Sequence, residues 1–187
     1  ITTNLLYKIN ISFINLIIKP DIFIFIIYLI IMDSKKIKPQ FTKNINPRVG
    51  LIVLATDAMI EKDFLKVFNE ISADLFVNRI TNYNPVTSDN LKKMTNFITS
   101  VTENILPGEK IDCVVYGCTS GTIVSGYDNI KKKINVAKPD ATVTAPSTAA
   151  LNALKKKNIK KISVVTPYIK SVNDDVINFF KNNNFEI

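Results

Sequence analysis

From Arg48 onward the chain alternates short, β-branched apolar runs with amphipathic stretches of helical spacing, and few folds accommodate that rhythm. VGLIVLA (49–55) is apolar throughout, as a strand buried on both faces must be. Beyond Thr56 and Asp57, the apolar residues Ile60, Phe64, Val67, Phe68 and Ile71 recur on one helical face. ADLFVNRI (73–80) reads as a second strand. Thr87, Ser88 and Asp89 offer N-caps for a helix to about Ile105, and Pro107 and Gly108 end it. IDCVVYG (111–117) is a third strand, and the GCTSGT turn after it leads into a short helix. ATVTAP (141–146) is a fourth, with Ser147 or Thr148 capping a helix through Leu154. KISVVTPY (161–168) predicts a fifth strand, and a last helix runs from about Ser171 to Lys181. Strands alternating with helices predict an α/β fold, a parallel sheet with helices on both faces.

Residues 1–31 do not share this rhythm. ISFINLIIKPDIFIFIIYLII is apolar, but Lys19, Pro20 and Asp21 interrupt it and leave Ile22 to Ile31 too short to span a bilayer. No small-residue cleavage site follows, as a signal peptide would require. Met32 opens a polar lead-in, MDSKKIKPQ. The expectation is that residues 1–31 are upstream sequence outside the native protein, with a membrane anchor as the alternative. Residues 32–47 are then the lead-in, residues 48–158 a first α/β domain, and residues 159–187 the start of a second.

Composition excludes several classes. The net charge of +8 raises the question of nucleic acid. Yet all the basic residues except Arg48 and Arg79 are lysines, scattered or on helix faces and without interleaved aromatics, so no nucleic-acid partner is expected. With two cysteines and no histidine, a metal site and a disulfide framework are both disfavoured. A reducing, cytoplasmic setting fits, with no membrane partner.

In parallel α/β sheets ligands bind beyond the carboxyl ends of the strands. Polar residues collect there: Thr56 and Asp57, Asn82 and Tyr83, Cys118 to Thr122, Ser147 and Thr148, Thr166 and Tyr168. Cys113, inside the third strand, reads as a packed small hydrophobe. Cys118 stands at that strand's exit among glycines and hydroxyls. A helix starting there would lower its pKa through unpaired N–H groups and the dipole. The alternative is a buried turn cysteine. GCTSGT lacks the Gly-Lys-Ser/Thr ending of a phosphate loop, and ATDAM lacks the glycines of a dinucleotide fingerprint.

RVGLIVLATDAMIEKDF, VVYGCTSGT and VVTPY, in that order and spacing, resemble the aspartate/glutamate racemase superfamily. The likeness is to its maleate isomerase branch and the related ectoine-utilisation proteins, with arylmalonate decarboxylase more distant. It covers the chain from about Arg48 to its last residue. The resemblance implies cofactor-independent enzymes built from two similar flavodoxin-like α/β domains, each giving one catalytic cysteine to a site between them. It implies that Cys118 is the first of that pair and that Tyr168 contacts substrate. It also implies that Ser147 and Thr148 line the pocket, beside Thr119 and Ser120. Where maleate isomerases carry asparagine after the first strand, this chain has Asp57, which leans toward the ectoine-utilisation branch. No second cysteine matches, so one complete half-site plus the start of the other is expected, inactive alone and a homodimer when complete. The activity implied is an isomerase or racemase of a small carboxylate. The alternatives are a decarboxylating lyase and a non-catalytic carboxylate binder or inactive fragment.

Overall fold

A computed structural model describes residues 46–187 of the chain. The expectations for residues 1–31 and for most of the lead-in lie outside the described residues. Four strands form one sheet: β1 (Arg48–Leu54), β2 (Asp74–Ile80), β3 (Cys113–Tyr116) and β4 (Thr142–Thr144). Their order is β2-β1-β3-β4, and every pair is parallel. The helices between and after them are α1 (Ile60–Phe68), α2 (Ser88–Met94), α3 (Ile98–Glu103), α4 (Thr119–Ser125), α5 (Tyr127–Ala137), α6 (Pro146–Lys156) and α7 (Lys170–Asn182). The α/β class expected from the alternation is the one observed.

Strand residues point alternately to the two faces of the sheet, and the two faces bury different clusters. Ile52, Ile80, Val114, Tyr116 and Val143 join Met94, Ile98, Ile130 and Ile134 in the larger core, into which α7 also sends Val172. Leu51, Val53 and Val115 face the other way and pack with Ile60 and Phe64 of α1. Ile60 and Phe64 of α1 therefore bury the face that the spacing predicts, but Val67 is exposed, the helix stops at Phe68 and Ile71 is left half exposed.

The single helix expected between Thr87 and Ile105 is broken. Thr87 caps α2, its Oγ1 accepting the Asn90 N–H at 3.3 Å. A 3-10 turn, Thr95–Phe97, then divides α2 from α3. At α6 the cap is Ala145 rather than Ser147 or Thr148, and Pro146 takes the first helical position, where its missing N–H costs nothing.

The fifth strand does not form. Between Lys161 and Tyr168 only Lys161 makes a bridge, parallel to Glu186, and Val165 is 95% exposed. The alternation of the segment is strand-like, but no neighbouring strand lies beside it among the described residues to take its backbone hydrogen bonds.

The amino ends of the strands are bound by polar contacts. Lys138, only 7% exposed, donates from Nζ to the carbonyls of Leu106 and Glu109, both at 2.8 Å. Arg48 pairs with Glu109 at 2.8 Å, and its N–H donates to Asp112 Oδ2 at 2.9 Å.

Candidate active site

From β1 the chain crosses to β2 on one side, and β3 pairs with β1 on the other, so the topology switches between β1 and β3. Open α/β sheets bind ligands at such a point, outside the carboxyl ends of the strands. A cleft of about 380 Å³ opens there, bordered by Asp57, Asn82, Cys118, Thr119, Ser120 and Tyr168 among others. A larger hollow of about 670 Å³ lies beside Lys92, Lys93 and Asn129 but borders no thiol.

The turn after β3 brings Cys118 to the cleft. The Gly117 N–H donates to the Ile52 carbonyl at 2.8 Å. A Cβ on Gly117 would come within 2.9 Å of that oxygen and 2.9 Å of Ile60 Cδ1, so only glycine lets the strand exit lie against β1 and α1. Cys118 stays extended and becomes the N-cap of α4, its Sγ accepting the Gly121 N–H at 3.2 Å. Ser120 Oγ stands 4.0 Å from the sulfur. The first helical turn leaves the N–H groups of Thr119 and Ser120 without intrahelical acceptors.

The helix start does not make Cys118 an exposed, low-pKa thiol. Cys118 is 3% exposed, and burial pushes its pKa up. The Gly121 N–H and the Ser120 and Tyr116 hydroxyls pull the other way without reversing that direction. The sequence-based expectation is corrected on this point: α4 has seven residues, and desolvation of the thiolate outweighs what its first turn supplies. Cys113 is the more accessible thiol. It packs at the edge of the second cluster, on the face of the sheet away from Cys118, with its pKa raised by burial and then by Asp112.

The other expected site residues fall into two groups. Asp57, Thr119, Ser120 and Tyr168 border the cleft with Cys118. Asp57 is also a helix anchor, for its Oδ1 accepts the N–H groups of Met59 at 2.8 Å and Ile60 at 2.9 Å. Those two donors, Ile60 first, hold its carboxyl below the usual range, with burial opposing and Arg79 assisting. Tyr168 packs its ring on the larger core, and its carbonyl accepts from Asn173 Nδ2 at 3.0 Å. Ser147 and Thr148 do not border the cleft; Pro146 does. Thr148 Oγ1 is engaged with the backbone of Ala145, accepting its N–H at 3.1 Å and donating to its carbonyl at 2.9 Å. Ser147 is 1% exposed and its hydroxyl has no partner.

Three residues in or near the site were not singled out from the sequence as part of it. Asp63 borders the cleft from α1, one turn beyond Met59 and Ile60, a position helical spacing alone would have found. Arg79 donates to the carbonyls of Leu54, Ala55 and Asp57 and pairs with Glu61 at 2.7 Å, fixing the loop after β1. Tyr116 lies two residues before Cys118, the spacing at which strand residues share a face, and reads in sequence as mere strand apolarity. Neither lysine nor arginine borders the cleft among the described residues. Among the same residues no cluster of three or more metal-ligating side chains occurs, and no helix is long and apolar enough to cross a membrane.

Comparison with solved structures finds this fold elsewhere. The maleate isomerase Iso from Pseudomonas putida S16 superposes with a TM-score of 0.63 at 19% identity, over 75% of this chain and 61% of that one. A Nocardia farcinica maleate cis-trans isomerase mutant, carrying a covalently bound succinylcysteine intermediate, gives 0.64 at 16% identity over 75% and 61%. Arylmalonate decarboxylase gives 0.54 at 17% identity over 75% and 59%. The chain shares their fold. It spans about three fifths of the length of each of these proteins. No protein-family profile matches the chain, and no curated protein matches it by sequence.

Proposed function

We propose that the chain carries the Cys118 half of a cofactor-independent isomerase or racemase site for a small carboxylate, in the manner of maleate isomerases or ectoine-utilisation proteins. The observation that carries this reading is the position of Cys118. It is the only thiol bordering a cleft at the switch point between β1 and β3, and it is poised on the first turn of α4. The shared fold and the succinylcysteine found in one structural neighbour support it.

In the covalent route, Cys118 gives its proton to solvent, to be taken back when the cycle closes, and the sulfur adds to one alkene carbon of an activated cis-diacid. The π electrons move to the neighbouring carbon and its carboxylate, and the former double bond rotates as a single bond. Expulsion of the thiolate then restores the alkene in the trans form, so atoms and charge balance. In the racemising route the thiolate instead removes a proton next to a carboxylate, and a donor on the opposite face returns one. The N–H groups of Thr119 and Ser120 and the phenol of Tyr168 are the donors for carboxylate or enolate oxygens. With no cation among the described residues of the cleft, recognition of a carboxylate rests on neutral donors. Residues 159–187 are read as the opening of a second α/β domain, for which the parallel bridge of Lys161 to Glu186 before and after α7 is the support.

The test is proton NMR of the full-length protein with maleate, and in D2O with small chiral carboxylates. Conversion to fumarate, or deuterium entry next to the carboxylate, is expected, with a fall of about 10⁴-fold or more in Cys118→Ala. Absence of both reactions, together with no protection of Cys118 from alkylation by any such acid, would sink the reading. Protection without turnover would make the chain a carboxylate binder instead.

A further inference from the structure

Tyr116 is fully buried, at 0% exposure, and its hydroxyl has no hydrogen-bond partner. A buried hydroxyl left unpaired costs stability, and a phenylalanine would fill the same space without that cost. The hydroxyl is not far from polar company, however. A Cβ placed on Gly121 would lie 2.8 Å from Cys118 Sγ and 3.1 Å from the Tyr116 hydroxyl oxygen. Both atoms border the space that a side chain at Gly121 would occupy, and glycine at that position leaves it clear. Tyr116 and Cys118 also share a core cluster, reached from the same face of β3.

We propose that Tyr116 is the positioning residue of Cys118: its phenol hydroxyl donates a hydrogen bond to the sulfur once the thiol has lost its proton. The resting thiol is a weak acceptor and leaves the phenol unpaired, whereas a thiolate is a strong one. The donor is idle in the neutral state and engaged in the reactive state, so it lowers the cost of forming a thiolate in a site that excludes water. The Gly121 N–H supplies a second donor on the same sulfur. Burial pushes the Tyr116 phenol above its ordinary pKa, the direction that keeps its proton on the oxygen. Asp57 and Asp63 from the α1 side, and the phenols of Tyr83 and Tyr168, are the other titratable groups bordering the cleft. None of them offers a positive charge that would do the same work.

This assignment rests on Cys118 being the reactive group, but its test needs no substrate. Alkylation by iodoacetamide is followed across pH with peptide mapping, which separates Cys118 from Cys113. In Tyr116→Phe the Cys118 profile should move to higher pH, with the rate near neutrality falling by about tenfold or more. The melting temperature should stay the same or rise, since the hydroxyl has no partner to lose. The Cys113 profile should not change. Gly121→Ala, which places a methyl 2.8 Å from the sulfur and 3.1 Å from the phenol oxygen, should move the Cys118 profile in the same direction. Because the midpoint of the profile is independent of how easily the reagent enters, an unchanged midpoint in either variant overturns the proposal. A shifted midpoint in a protein that turns over no carboxylate would uphold the Tyr116–Cys118 pairing and refute only the proposed function.

Discussion

The two ends of the sheet treat their polar groups in opposite ways. At the amino ends of the strands side-chain polar groups are spent on the backbone: Lys138 Nζ holds two carbonyls, Arg48 and Asp112 tie β1 to the loop before β3, and Asn135 Nδ2 reaches the carbonyls of Lys138 and Ala141. At the carboxyl ends the buried hydroxyls of Tyr116 and Ser147 are unpaired, two of the three buried side-chain polar atoms left so among the described residues. The third is Ser125 Oγ, at the last turn of α4. One end is saturated and serves stability, while the other keeps hydrogen-bonding capacity in reserve. Strain and unmet polar groups gather where a fold binds something, at a cost met elsewhere in the structure.

The largest effect expected from breaking this contrast is at the saturated end. Lys138→Ala removes a buried ammonium and strands two carbonyls, so stability should fall by roughly 2–4 kcal/mol in denaturant titration. Cys118 should alkylate in the folded variant as it does in the parent. A stability change under about 0.5 kcal/mol would mean that water replaces the amine and that the amino end is not sewn shut by it.

A neighbouring pair of hydroxyls sharpens the comparison at the open end. Thr148→Val loses both contacts with the Ala145 backbone and should cost about 1 kcal/mol, the usual worth of a helix-start side chain. Ser147→Ala, one residue earlier and more deeply buried, should cost nothing or stabilise slightly, because its hydroxyl has no bond to lose. Thermal unfolding of the two variants side by side decides it. Equal losses would show that Ser147 is structurally engaged.

The smallest effect concerns acid. The Asp57 carboxyl is held below its ordinary value of 3.8 by the Ile60 and Met59 N–H groups. A depressed carboxyl stabilises the fold fully above its unfolded pKa and loses that contribution as pH falls through its lower folded value. Asp57→Asn keeps a good N-terminal acceptor but removes the titration. It should flatten the acid limb of the stability curve below pH 3.8 by under about 1 kcal/mol while leaving neutral-pH stability nearly unchanged. An acid limb identical to the parent's would place the titration elsewhere, with Asp112 the next carboxyl whose pKa is lowered.

Much of this was legible in the chain because it is local. The four strands follow from apolar runs, and Asp57, Thr119, Ser120, Cys118 and Tyr168 were expected at strand ends and meet in one cleft. What was not legible depends on distant partners. KISVVTPY has the composition of a strand, but a strand exists only beside another, and none flanks it among the described residues. The sign of the Cys118 pKa shift depends on how deeply the core closes over the sulfur, which the motif GCTSGT does not encode. Lys138 looked like one more surface lysine, because its two acceptors lie about thirty residues earlier in the chain. Tyr116 was hidden by its own apolarity, although its spacing from Cys118 was in plain view.

Cys118 has been described as the cap of α4, and that gives the sulfur a mechanical connection. Alkylating it or attaching a substrate to it puts a carbon on the buried sulfur, which crowds it and turns it away as the acceptor of the Gly121 amide. The amide freed belongs to a short helix that touches α2, α5, α6 and α7. The covalent state of one atom is thereby written into the first turn of a helix that packs on four others. The amide hydrogen of Gly121 is its gauge: slow to exchange while the thiol is free, faster once the sulfur is occupied.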